Sequence, residues 1–115
     1  MSEFEKFTQK FIAFRNERDW QQFHKPKDVA LSLALEAAEV LELFQWKTDE
    51  QAEQAVKDNP EKFADELADV MGWVFILAHD LKIDLPTAME HKLAKNAAKY
   101  PVATSKGSSK KYTEL

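Results

Sequence analysis

Apolar residues recur along this chain at three- and four-residue steps, in long runs that two glycines and four prolines barely interrupt. That spacing predicts helices throughout and an all-α fold. The first helix is expected from Glu3 to about Arg18, with Ser2 and Glu5 as a capping box. Its stripe is Phe4, Phe7, Phe11 and Phe14, at steps of three, four and three. In a small chain, so wide an aromatic seam predicts burial against another subunit. A connection follows, RDWQQFHKPKD, in which Pro26 and Asp28 mark a loop and a helix N-cap. The second helix is expected from about Val29 to Trp46. Thr48 and Gln51 form another capping box, so Asp49 to Lys57 is read as a short polar helix or an irregular link. Asn59 caps a third helix with Pro60 in its first position, running to about Asp80. The second half of that helix, VMGWVFILA, is apolar all round, which predicts burial on every side and again more than one subunit. A fourth helix starts at Ile83-Asp84-Leu85-Pro86 and runs to about Lys99, where Pro101 stops it. The expected architecture is an oligomeric four-helix-type bundle over residues 1–101, with 102–115 as a basic, flexible tail.

Two of these helices carry acids where apolar residues surround them. In LEAAEVLELFQWK, Glu36, Glu39 and Glu42 stand three apart. At helical pitch Glu36 and Glu39 lie roughly 60° apart, one turn above the other. Glu66 and Asp69 repeat the step in FADELADVMGWVFILA. One such pair alone is commonplace as a solvated face, but two in apolar helices can converge four carboxylates on one point. Gathering that charge without a partner is costly, so cations of the protein or a bound metal must answer it. Oxygen donors without cysteine suit a hard ion, Mg²⁺, or Mn²⁺ in its place. A di-iron site would want Glu-x-x-His pairs, and no histidine here has a glutamate three residues before it.

Composition narrows the function classes. At 115 residues the chain is expected to form one domain. The net charge of −4 argues against a general nucleic-acid binder. The longest apolar run, Val70 to Ala78, is far short of the ~20 residues that span a bilayer. No cysteine is present, and the charged start MSEFEKF is unlike a signal peptide, so a cytoplasmic location is expected. Trp20 and His24 in the first connection either lid the core or wall a base. Lys92, Lys95, Asn96, Lys99 and Tyr100 gather near the end of the fourth helix, either as a solvated face or as a phosphate- and sugar-binding edge.

Taken together, RDWQQFHKPKD, the ExxE helix ending FQWK, DELADV and KNAAKYP resemble the all-α nucleoside triphosphate pyrophosphohydrolases. Within them the dCTP pyrophosphatase branch of the MazG-like proteins is nearest, and the resemblance covers about residues 11 to 102. It implies Mg²⁺-dependent cleavage between the α- and β-phosphates, giving a nucleoside monophosphate and pyrophosphate, with dCTP-like pyrimidines preferred and nucleotide-pool cleaning as the purpose. It implies that Glu36, Glu39, Glu66 and Asp69 are the catalytic metal ligands. It implies substrate contacts at Trp20, His24, Trp46, Lys92, Lys95, Asn96 and Tyr100, with the lysines on phosphate. With the aromatic seam and the all-round apolar helix, the expected assembly is a homo-dimer or homo-tetramer. The broader MazG-like pattern begins with two adjacent glutamates; the first is Leu35 here, as in the dCTP branch. A base-side histidine of the dCTP enzymes falls at Phe11. Two rivals remain at this stage. A binding module that holds Mg²⁺-nucleotide without turnover differs in its products, and a helical interaction protein differs in gaining no stability from Mg²⁺.

Overall fold

The computed structural model describes Met1–Leu115, and every regular element in it is helical. The helices are α1 (Glu3–Glu17), α2 (Pro26–Glu42), α3 (Asp49–Asp58), α4 (Pro60–Asp80), α5 (Leu85–Lys99) and the single turn α6 (Val102–Ser105). Short 3-10 turns occupy Gln21–Phe23 and Tyr112–Glu114. No helix is long and apolar enough to cross a membrane. The chain divides into two compact units, Met1–Lys82 and Ile83–Leu115.

Local chemistry explains where the helices of the first unit begin. Ser2 Oγ accepts from the Glu5 N–H while the Glu5 carboxylate accepts from the Ser2 N–H. Thr48 and Gln51 repeat that reciprocal arrangement, which makes Asp49–Asp58 a helix rather than an irregular link. Asn59 caps α4 above Pro60. α2 starts earlier than Asp28: Pro26 takes the first helical position, where its missing N–H costs nothing, and Lys25 is the N-cap. α2 also stops at Glu42, short of Trp46, because the chain tightens through i→i+3 bonds and Trp46 enters the left-handed region at φ 66°.

α4 is the centre of this unit and packs on α1, α2 and α3. Gly72, Ile76 and Ala78 are its buried positions, and Val29 of α2 is buried too. At Gly72 a Cβ would stand 2.9 Å from Phe11 Cε1, so the missing side chain lets α1 approach. The phenylalanine stripe divides. Phe4 and Phe11 pack on Phe75 with ring centroids 4.7 and 5.7 Å apart, whereas Phe7 and Phe14 remain 46 and 50% exposed. Met71 and Leu67 of α4 are also exposed, so the helix is not buried on every side within one chain.

One interaction stands apart from the apolar packing. Arg15, in the last turn of α1, is 2% exposed, and both of its η-nitrogens donate to Asp80 at the end of α4, at 2.7 and 3.0 Å. Such a two-pronged pair is directional as well as charged, and it fixes the register of α1 against α4.

In the second unit, Asp84 caps α5 by accepting from the Thr87 N–H. Beyond α5, the segment expected to be a flexible tail contains α6 and a 3-10 turn. Tyr112 sets its ring edge-on to Tyr100 at 5.9 Å, and Lys99 Nζ lies 4.9 Å from the Tyr112 ring centre.

Candidate metal and nucleotide site

Two acidic helices meet because α2 and α4 are packing partners. Their i, i+3 acids therefore project from facing surfaces. Glu36, Glu39 and Glu66 each offer a carboxylate oxygen within 4.8 Å of the others. Glu36 and Glu66 are half-buried and Glu39 is exposed. Asp69 lies outside that trio but near enough for its charge to act on both Glu36 and Glu66.

The electrostatics follow from that crowding. The Glu36 carboxyl is held above its ordinary range, first by burial, then by a hydrogen bond to Glu39 and by the charges of Glu39, Asp69 and Glu66. Glu66 is raised too, first through its hydrogen bond to Glu39, then by desolvation and the charges of Glu39 and Asp69. Lys62 opposes this, as the weakest of the influences. As carboxylates, Glu36 Oε2 and Glu66 Oε2 are buried atoms with no donor. A proton shared with Glu39 supplies one; a cation between the three satisfies all of them at once. The donor set is hard oxygen throughout, so the residues fit Mg²⁺ or Mn²⁺.

Beside the cluster is a cavity of about 200 Å³. Glu36 and Asp69 line it, as do Trp20 and His24 from the α1–α2 connection and Trp73 from α4. The cavity thus brings two of the expected nucleoside contacts together with two of the expected metal ligands. Its walls are aromatic: Phe14 meets Trp20 edge-on at 5.9 Å, and His24 meets Trp73 at 5.2 Å. His24 has its pKa lowered by burial and then by the Arg15 charge, partly offset by Asp80, so the ring is neutral near pH 7.

Trp46 is a different case. It follows the last turn of α2 whereas Trp20 precedes the first, and 17 helical residues place those ends ~25 Å apart. Trp46 is 91% exposed and lines no part of the cavity. Within one chain, therefore, Trp20 and Trp46 do not bracket one base. Lys92, Lys95, Asn96 and Tyr100 all belong to the second unit, on and just after α5, where they are exposed.

Sequence reasoning passed over Arg15, Asp80 and Trp73. The signal for the first two was present: a cation four residues beyond Phe11 in the phenylalanine-rich helix and an acid four residues beyond Ile76 on the buried face of α4. Opposite charges on two apolar helix faces are affordable only as a pair.

A family model described as MazG-like matches residues 31–115. The chain is 42% identical to dCTP pyrophosphatase 1 of Bos taurus over 104 residues, 89% of this chain and 62% of that protein. The same identity and coverage of this chain hold for dCTP pyrophosphatase 1 of Homo sapiens, of which 61% is matched. The chain thus spans about three fifths of the length of these relatives. Its fold is similar to the crystal structure of a pyrophosphatase from Archaeoglobus fulgidus, with a TM-score of 0.82 and 30% identity, over 88% of this chain and 94% of that one.

Proposed function

Since the chain belongs to the MazG-like family, we propose that it is a Mg²⁺-dependent nucleoside triphosphate pyrophosphohydrolase acting on dCTP-like pyrimidine nucleotides. The observation that carries this reading is the convergence of Glu36, Glu39 and Glu66, with Asp69 at its edge, beside an aromatic cavity. The relatives named dCTP pyrophosphatase 1 support the substrate class.

In this reading Glu36, Glu39, Glu66 and Asp69 hold Mg²⁺, which when bound neutralises phosphate oxygens and lowers the pKa of an attacking water. The aromatic cavity receives the base and excludes water from it. Because the cavity and the carboxylates adjoin, a base seated there brings the α-phosphate, nearest the nucleoside, to the acidic end. Attack at that phosphorus releases pyrophosphate. Lys92 and Lys95 are assigned to the departing phosphates and Asn96 and Tyr100 to the sugar, on the family resemblance. Trp46 joins a nucleotide site only as part of an assembly, since its own chain holds it a helix length from Trp20. A homo-dimer or homo-tetramer is the partner state we assign, supported by exposed Phe7, Leu31, Leu35, Leu41 and Met71. Nucleotide-pool cleaning is the corresponding role.

The test is product analysis. With Mg²⁺ and dCTP, the protein is expected to yield dCMP and pyrophosphate, and Asp69→Asn to yield neither. Formation of dCDP and phosphate, or wild-type turnover by Asp69→Asn, would refute the reading.

A further inference from the structure

The mechanism above leaves one buried polar group without a task. Asp80 takes both η-nitrogens of Arg15, and the third nitrogen, Nε, is buried with no hydrogen-bond partner. Arg15 lines the cavity that holds Trp20 and His24, where His24 Nδ1 and, at the acidic end, Glu36 Oε2 are also buried and unpaired. A buried guanidinium N–H left unsatisfied is costly, so a site that keeps one is built to give it to a ligand or to water.

We propose that Arg15 is a base-reading residue, whose Nε–H donates to a ring carbonyl of the pyrimidine while His24 Nδ1 pairs with the adjacent ring nitrogen. This rests on the nucleotide-hydrolase reading for its substrate class.

Charge decides what Arg15 can recognise. Asp80 already neutralises the guanidinium, so the remaining N–H faces a neutral acceptor rather than a phosphate. Position agrees with this. On α4, Asp69 and Asp80 are eleven residues apart, ~16 Å along the helix, which puts Arg15 towards the end away from the carboxylates. A nucleotide whose phosphates meet the acids points its base towards Arg15. A pyrimidine sets a carbonyl beside a ring nitrogen, matching the two free groups in kind. Neutral His24 has two tautomers, so its Nδ1 accepts from the N3–H of thymine or donates to N3 of cytosine. Adenine has no ring carbonyl and leaves Arg15 unsatisfied.

The experiment is nucleoside binding to the full chain without metal, read by fluorescence of the cavity tryptophans. Thymidine is compared with the difluorotoluene deoxynucleoside, which has the same shape but carbon–fluorine bonds in place of carbonyls and C–H in place of N3–H. The wild type is expected to bind thymidine about 10- to 100-fold more tightly, the worth of a hydrogen bond to a charged donor. Arg15→Lys keeps a cation against Asp80 but has no Nε–H, and it should cut that preference by about tenfold, the remainder belonging to the contact of His24 with N3, while holding the difluorotoluene nucleoside as before. If Arg15→Lys does not fold, Arg15→Met with Asp80→Leu removes both charges together and gives the same readout. Equal binding of the two nucleosides by the wild type, no nucleoside binding, or a preference undiminished in the variant overturns the proposal. Hydrolysis is assayed separately. Turnover of dCTP without any carbonyl preference defeats the role of Arg15 alone, whereas a carbonyl preference without turnover defeats the hydrolase reading alone.

Discussion

Removing or supplying Mg²⁺ perturbs the acidic cluster most directly. Glu36, Glu39 and Glu66 lie within 4.8 Å of one another, Asp69 adds its charge, and Lys62 opposes them only weakly. In metal-free protein this like-charge group opposes folding; a divalent ion held only by the folded state reverses its sign. The gain is RT ln(1 + [L]/Kd), about 2.7 kcal/mol at a hundredfold excess over Kd. For a chain of this length, each kcal/mol moves the melting temperature by about 3–6 °C, so the shift should be about 10 °C. Glu66→Gln makes the reasoning sharper. It removes a charge the site disfavours and a ligand the ion needs. The variant should therefore melt above the wild type in EDTA yet gain much less from Mg²⁺. Differential scanning calorimetry in EDTA and in millimolar Mg²⁺ reads all four melts. Identical wild-type melts in the two buffers would refute the metal site, and a lower metal-free melt for Glu66→Gln would refute the account of its charge.

The pH dependence follows from the same group. Glu36 has its folded pKa raised above the ordinary 4.5, so the folded state binds more protons than the unfolded one and loses stability as pH rises above about 4.5. In EDTA the melting-temperature advantage of Glu36→Gln over the wild type should grow from pH 4.5 to 7, and a constant difference would contradict the shift. For assembly, Phe7→Glu places a charge on a ring that is 46% exposed in the single chain, so it should shift the sedimenting mass towards monomer with little unfolding. A wild type already monomeric at micromolar concentration would remove the subunit seam.

What was legible in the sequence was local. Ser2 with Glu5, Thr48 with Gln51, Asn59 with Pro60, and Asp84 all name helix starts through contacts three residues long, which a sequence displays directly. The all-α fold follows from the same periodicity. Half of the phenylalanine stripe was less readable, because a stripe says which residues share a face and not how wide the neighbouring helix is. α4 covers Phe4 and Phe11, leaves Phe7 to solvent or another subunit, and leaves Phe14 to pack against Trp20 at the cavity. Trp46 fails for a backbone reason. The apolar pattern runs on through Phe44, but the helix has already ended at Glu42, and the left-handed residue of the turn that follows is a tryptophan, not the glycine that would have announced it.

The candidate site divides along the same line. Each i, i+3 acid pair was visible, and their meeting required only that α2 and α4 be neighbours, which two apolar acidic helices in a small chain make the economical arrangement. Arg15 and Asp80 are 65 residues apart, and nothing local joins them. Yet each alone breaks the apolar pattern of its helix, and each alone would be expensive to bury. Unexplained charges of opposite sign on two packing faces are therefore a tertiary contact written as a pair of local exceptions. Charge balance accounts for Asp80 in full but for Arg15 only in part. A lysine would neutralise Asp80, whereas a guanidinium gives two nitrogens to the acid and still has a third donor to spend. That surplus N–H, beside the cavity, separates a structural reading of the pair from a substrate-reading one, and it is the group that Arg15→Lys removes while leaving a cation in place.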